Sequence, residues 1–308
     1  MEKKRVLFMD IAKAIGILIV LLVHAELHLG PVTFFGGMFY MPVFFVLAGM
    51  TFSYRPEEKL SVFLKKKAKR LLLPYLGYNG FLFTFFFVKD SMLSGQLTGK
   101  SFFPLLGILY SRNCLLPMGQ ENNVFFMQIL NAPTWFLTGL FVTLFLFWVL
   151  VRMSKGDRKK LLLQTGRLLA VAILVHYFCP VLLPWSVDCA LYAVAFLTFG
   201  KFAAEYGLVG KLYGSPLWTG VLLVGFLGLS LLNGSVNMSI ANYGHSMLLY
   251  LIVGALGSLL CMIGALFLEK HAVWLGKPLA WLGRHTIPVL CLHLFVYAMM
   301  DTLFRALK

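Results

Sequence analysis

A chain of 308 residues that is 60% hydrophobic and only 13% charged carries more apolar surface than a water-soluble globule of that size hides in one core. Its formal net charge of +15 would suit a nucleic-acid binder. The 27 lysines and arginines are instead sorted into alternate loops between long apolar runs, which excludes nucleic acid as a partner and leaves membrane lipid as the solvent.

A run of about 20 apolar residues crosses a hydrocarbon core of about 30 Å as a helix. In chain order such runs are expected at 11–29, 36–54, 71–88, 133–151, 161–179, 186–205, 215–232, 244–267 and 285–304. This is an all-α polytopic transmembrane helix bundle of about nine to ten spans. Short apolar pieces at 101–110 and 122–130 read as re-entrant or interfacial segments. The clusters Lys3, Lys4, Arg5, then Arg55 through Arg70, then Arg152 through Lys160 fall on one side, together with 206–214 and 268–284. The opposite loops hold only Lys89, Lys100 and Arg112, with Arg305 and Lys308 at the end. By the positive-inside rule the N-terminus is cytoplasmic and, with nine crossings, the C-terminus lies outside.

Asp10 and Lys13 interrupt the first apolar run and no small-residue cleavage site follows, so the first helix is expected to stay attached. The five cysteines, Cys114, Cys179, Cys189, Cys261 and Cys291, have neither metal nor redox spacing and are expected to be free thiols. With no repeat period and no low-complexity tract, residues 1–308 read as a single membrane domain that carries the whole function.

Ionisable groups inside apolar spans mark function, because burying charge in lipid is costly unless it lines a cavity or meets a partner. Asp10, Lys13 and His24 share one face of the first helix, since eleven residues are about three turns plus 20 degrees. At about 1.5 Å per residue His24 stands roughly 16 Å beyond Lys13, near mid-membrane in a span over 11–29. An imidazole there is either a hydrogen-bonded packing residue or a proton carrier facing a cavity, and Lys13 is either a snorkelling anchor or a ligand for an anion. His28 lies one turn further. The order His24-Ala-Glu-Leu-His28 is not that of zinc proteases and no third ligand is near, so no metal is expected. His271 and His285 fall in or near a basic inner loop, His176 and His245 near outer ends and His293 within the last span, all in structural roles. In the loop expected before the third span, Lys67 and Arg70 lie one turn apart at the membrane surface, as a phosphate clamp or as plain inner-loop charge.

The chain resembles the acyltransferase-3 family of membrane acyltransferases, in particular its short sugar O-acetyltransferases similar to fucose 4-O-acetylase, over nearly its whole length. The resemblance rests first on Phe8-Met-Asp10-Ile-Ala-Lys13 running to His24, similar to the family's basic residue, ten residues, then histidine. Met41-Pro42-Val43-Phe44-Phe45 through Gly49, Lys67-x-x-Arg70 before Pro74-Tyr75, Thr134-Trp135-Phe136-Leu137, and Leu282-Gly283-Arg284-His285 through His293 resemble its later motifs. Lysine stands at 13 and 67 where the family has arginine, which keeps the charge but loses the fork that grips phosphate in bidentate fashion.

The resemblance implies an enzyme of a bacterial plasma membrane. It would transfer an acyl group, usually acetyl, from cytoplasmic acyl-CoA to a hydroxyl of a cell-surface glycan or lipid-linked saccharide. Lys13, Lys67 and Arg70 would hold the donor's phosphates, supported by Asp10. His24 would be the general base, and His28 and Trp135 would meet the acceptor. Direct transfer and an acyl-histidine relay are both open. A transporter or flippase is the alternative, since buried charge in a glycine-interrupted bundle also describes carriers.

Overall fold

Proline, glycine or a polar cap marks the start or end of several of the helices. The computed structural model describes residues 6–27, 29–94, 102–117, 123–125 and 129–307. Helix α1 (Leu7–His24) stops where the chain leaves helical geometry at Ala25 and Glu26, the latter at φ +53°. Pro31 opens α2 (Pro31–Phe39) and Pro42 opens α3 (Pro42–Met50), each at a first-turn position where its fixed φ suits the helix and its missing N–H costs nothing. The single span expected at 36–54 is therefore a pair of helices, which together form one candidate crossing over Pro31–Met50.

Helix α4 (Leu60–Ser94) contains the basic cluster 63–70, expected as loop. Leucine, lysine and arginine are strong helix formers with no glycine or proline among them, so the helix starts well before the apolar run does. Helix α5 (Phe103–Tyr110) has 8 residues, too few to cross, in keeping with a re-entrant or interfacial reading of 101–110. Of the piece at 122–130, most lies outside the described residues. Then follow α6 (Trp135–Ser154), α7 (Arg158–Phe178), α8 (Val187–Glu205), α9 (Leu208–Tyr213) and α10 (Pro216–Asn233). The chain ends with α11 (Met247–His271), α12 (Val273–Arg284) and α13 (Thr286–Ala306). The region 268–284, expected as an inner loop, is the last turn of α11 and the whole of α12. Asp157 caps α7 by accepting from the N–H groups of Lys159 and Lys160 at 2.8 and 3.2 Å, and Ser246 caps α11 through Leu249 N–H. Among the described residues there are nine helical segments long and apolar enough to cross a membrane and no β-strand, so the protein is an all-α polytopic bundle.

The chain forms two compact units. The first comprises Met1–Ser53, Ala193–Met238 and Tyr243–Thr286. Its core is α11, on which α1, α2, α3, α10 and α12 pack. Lipid tails are as apolar as leucine, so helices in a membrane are held by close packing and hydrogen bonds, and small residues let backbones meet. Gly49 of α3 and Gly200 of α8 show this: a Cβ at either would strike the backbone carbonyl of Leu197 or Val46. The second unit comprises Tyr54–Tyr192, Ser239–Asn242 and Ile287–Lys308. Here α4 and α7 pack on α6, and Phe81 and Phe85 of α4 meet Phe295 of α13 edge-on at 5.8 and 5.0 Å.

Candidate functional site

In the first unit the candidate groups are arranged along α1. Asp10, in its first turn, is buried and accepts from Lys13 Nζ at 3.0 Å, while the Lys13 side chain is half-buried. An acidic residue in a first helical turn is favoured by the exposed N–H groups there. The base of α1 is fixed from two sides. Phe8 N–H donates to the Glu269 carboxylate at the end of α11 at 2.9 Å, and the Asp10 carbonyl lies against Gly283 of α12 so closely that a Cβ there would overlap it.

His24 is the last residue of α1 and half-buried. The span expected at 11–29 is a helix from residue 7 to residue 24, so the imidazole stands at the helix end. The cause is the turn at Ala25–Glu26, which sequence periodicity did not reveal because Leu27 and Leu29 continue the apolar run. Lys13 and His24 do share one helical face, but Ile17 and Val20 lie between them on it, each 1% exposed. The interval is packed hydrocarbon. His28 lies outside the described residues.

The second unit holds the other candidates. Lys67 falls on the four-residue stripe of Phe63, Leu71, Tyr75 and Asn79 that α4 turns inward, and its ammonium sits 5.3 Å from the Phe63 ring centroid. Arg70, off that stripe, is exposed. Trp135, the first residue of α6, is 5% exposed, with the Arg112 guanidinium 5.9 Å from its ring centroid and Phe136 edge-on at 6.3 Å.

Arg112 is the group that sequence reasoning missed. Placed as a bare loop charge, it is instead fully buried and spends its donors on three acceptors in two distant stretches of chain, 183–188 and 239. Nε donates to the Leu183 carbonyl at 3.2 Å, Nη1 to the Ser239 carbonyl at 2.9 Å, and Nη2 to the Asp188 carboxylate. Burial pushes the nearby Tyr110 phenol up from its ordinary pKa, with Arg112 opposing and Asp188 adding to the shift. Around the start of α6 the polar groups continue. Asn79 of α4 donates to Thr134 Oγ1 at 3.2 Å, Asn131 donates to Asn79 Oδ1 at 2.7 Å, and the Ser111 and Thr138 hydroxyls are 2.7 Å apart. A signal for this cluster exists in the sequence, since Asp188 and Asn79 are polar groups inside apolar runs.

Two open grooves of about 640 and 450 Å³ run along the apolar flank of α4, sharing Phe81 and reaching from Pro74 to Met92. None of the candidate residues lines either. Among the described residues no group of three or more histidine, cysteine or acidic side chains is placed to hold a metal ion.

Compared with known proteins, the chain matches one family model over residues 6–308, described as an acyltransferase domain and named for the acyltransferase-3 group. No curated protein and no solved structure matches it significantly.

Proposed function

The chain belongs to the acyltransferase-3 family and is a membrane acyltransferase, and from that premise we propose that it moves an acyl group, usually acetyl, from acyl-CoA to a hydroxyl of a glycan or lipid-linked saccharide. The observation that carries this reading is the Lys13 and His24 pair on one helix of a chain that matches the family throughout. The donor's phosphates and pantetheine arm need cations at one end and a reacting group roughly 16 Å away, which is the eleven-residue rise from Lys13 to His24. Asp10 takes one of the three ammonium donors of Lys13 and aims the others, and Arg70 offers an exposed fork. Because Ile17 and Val20 are packed on the shared face, the arm runs beside that face and not down it.

An alcohol is a poor nucleophile at neutral pH. In this reading His24 takes the proton of the acceptor hydroxyl as its oxygen attacks the thioester carbonyl. The new C–O bond forms, the C–S bond breaks, and the proton passes to the departing thiolate, for a contribution of about 10² to 10⁴ in rate. Trp135 and His28 are the acceptor-side residues. Trp135 is buried with the Arg112 guanidinium 5.9 Å from its ring centroid, so in this reading it shapes the acceptor side from within the packing and does not offer an open face to a sugar ring. In this reading the basic clusters at 55–70 and 152–160 face the cytoplasm, where acyl-CoA is made.

Acyl transfer by His24→Ala in membranes tests this. The expected result is a rate at least 10²-fold lower with donor binding retained, because the phosphate contacts lie at the other end of α1. Near-wild-type acylation would remove His24 from the chemistry and favour a carrier.

A further inference from the structure

Helix α12 has no place in the acyl-transfer reading, and its two faces differ sharply. It joins α11 and α13, both long and apolar enough to cross a membrane. Consecutive crossings run in opposite directions, so the end of α11 and the start of α13 lie on the same side. The 12 residues of α12 rise about 18 Å, too little to cross a core of about 30 Å, so α12 is a connection on that side and not a crossing.

The helix is strongly amphipathic. Gly276, Ala280 and Gly283 form its buried face, with a Cβ at Gly276 meeting Ile11 and one at Gly283 overlapping the Asp10 carbonyl, both of α1. Trp274 and Trp281 each stand two residues before one of these glycines, about 200 degrees round the helix and so on the opposite face. They are 80% and 59% exposed. Lys277 and Arg284, also exposed, flank them. The charge on this face is of one sign. From 269 to 285 the only carboxylate is Glu269, which accepts from Phe8 N–H, while Lys270 and His271 are turned onto Tyr213. Neither Lys277 nor Arg284 has an ion pair among the described residues.

Two tryptophans this exposed on a soluble surface would be an unsatisfied apolar patch. At headgroup depth the same rings are anchors, apolar in body and polar at the indole N–H, and cations beside them meet phosphate.

We propose that α12 is an interfacial helix that docks on the membrane surface by the anchors Trp274 and Trp281 and holds anionic phospholipid headgroups through Lys277 and Arg284, each one turn after a tryptophan. Because Gly283 is seated on the Asp10 carbonyl, the lipid surface sets the height of the Asp10–Lys13 pair at the base of α1.

The test uses the full chain in two measurements. In nanodiscs containing phosphatidylcholine brominated near the headgroup, the quenched share of tryptophan emission is compared between wild type and the Trp274→Phe/Trp281→Phe variant, with helicity checked by circular dichroism. A clear fall in the variant is expected, since the two most lipid-facing emitters of this helix are gone. In detergent, native mass spectrometry follows retention of dioleoyl phosphatidylglycerol against dioleoyl phosphatidylcholine. Wild type should favour the anionic lipid, and Lys277→Ala should lose about fivefold of that preference. A quenched share unchanged by the tryptophan substitutions, or a lipid preference unchanged by Lys277→Ala, overturns the proposal. Neither measurement depends on acyl transfer.

Discussion

Removing Arg112 should destabilise the second unit more than any other single charge deletion. The side chain is fully buried, and its alanine variant would leave the Asp188 carboxylate without its cation and the Leu183 and Ser239 carbonyls without donors. Breaking a buried ion pair by deleting one partner costs about 3–5 kcal/mol, most of it the cost of the charge left behind. Arg112→Ala and Asp188→Ala should therefore each lose about that much. The double variant should lose far less than the sum, because both single changes break the same pair, giving a coupling of about 2 kcal/mol or more. An apolar pair of similar volume, Arg112→Met with Asp188→Leu, should recover the cost of the unpaired charge but not that of the Leu183 and Ser239 carbonyls, which still lack donors. Arg112→Lys should rescue only in part, since a point ammonium does not reach three acceptors held by a planar fork. Unfolding of the full chain by sodium dodecyl sulfate in mixed micelles, followed by circular dichroism, measures the cycle. A loss under about 1 kcal/mol for Arg112→Ala, or an additive double variant, would refute the reasoning and return Arg112 to the ordinary loop charge that its sequence position suggests.

Four further outcomes are expected. Lys13→Ala, Lys67→Ala and Arg70→Ala should each weaken coenzyme A binding by calorimetry, by roughly tenfold where a charge-assisted contact is lost, and unchanged affinity in all three would sink the donor site. Gly283→Ala should destabilise the first unit by about 1–3 kcal/mol, because the new methyl meets the Asp10 carbonyl and not a yielding side chain; a neutral effect in the same detergent titration would mean that α12 does not sit so closely on α1. In the folded protein a maleimide should label half-buried Cys179 well before the buried Cys114, Cys189, Cys261 and Cys291, and the Cys114 thiol is slowed further because burial pushes its pKa up; equal rates for Cys179 and Cys114 contradict this. Finally, a cysteine placed by Lys66→Cys in a cysteine-free background should escape an impermeant reagent in intact cells, and labelling there would reverse the orientation.

What was legible in the sequence is what depends on composition along the chain. A lipid-spanning helix must satisfy every backbone group internally, so apolar runs of the right length report candidate crossings directly, and the nine expected spans correspond one for one to the nine candidate crossings among the described residues. The shared face of Asp10, Lys13 and His24 was equally readable, since it needs only the helical period, and the five cysteines are free thiols as their scatter suggested. Helix ends were less so. The turn at Glu26 that moves His24 to the end of α1, the break before Pro42 and the early start of α4 depend on local backbone geometry that hydropathy averages away. Tertiary structure alone decided the rest. Arg112 and its partners Leu183, Asp188 and Ser239 are 71 to 127 positions apart, so only the fold makes a loop charge into a buried staple beside Trp135. Likewise the small residues of α12 read as an unremarkable inner loop until α1 is laid against them. Crossings are a property of the chain and its solvent, whereas a buried charge or a glycine contact is a property of two distant segments, and no single stretch of sequence contains both.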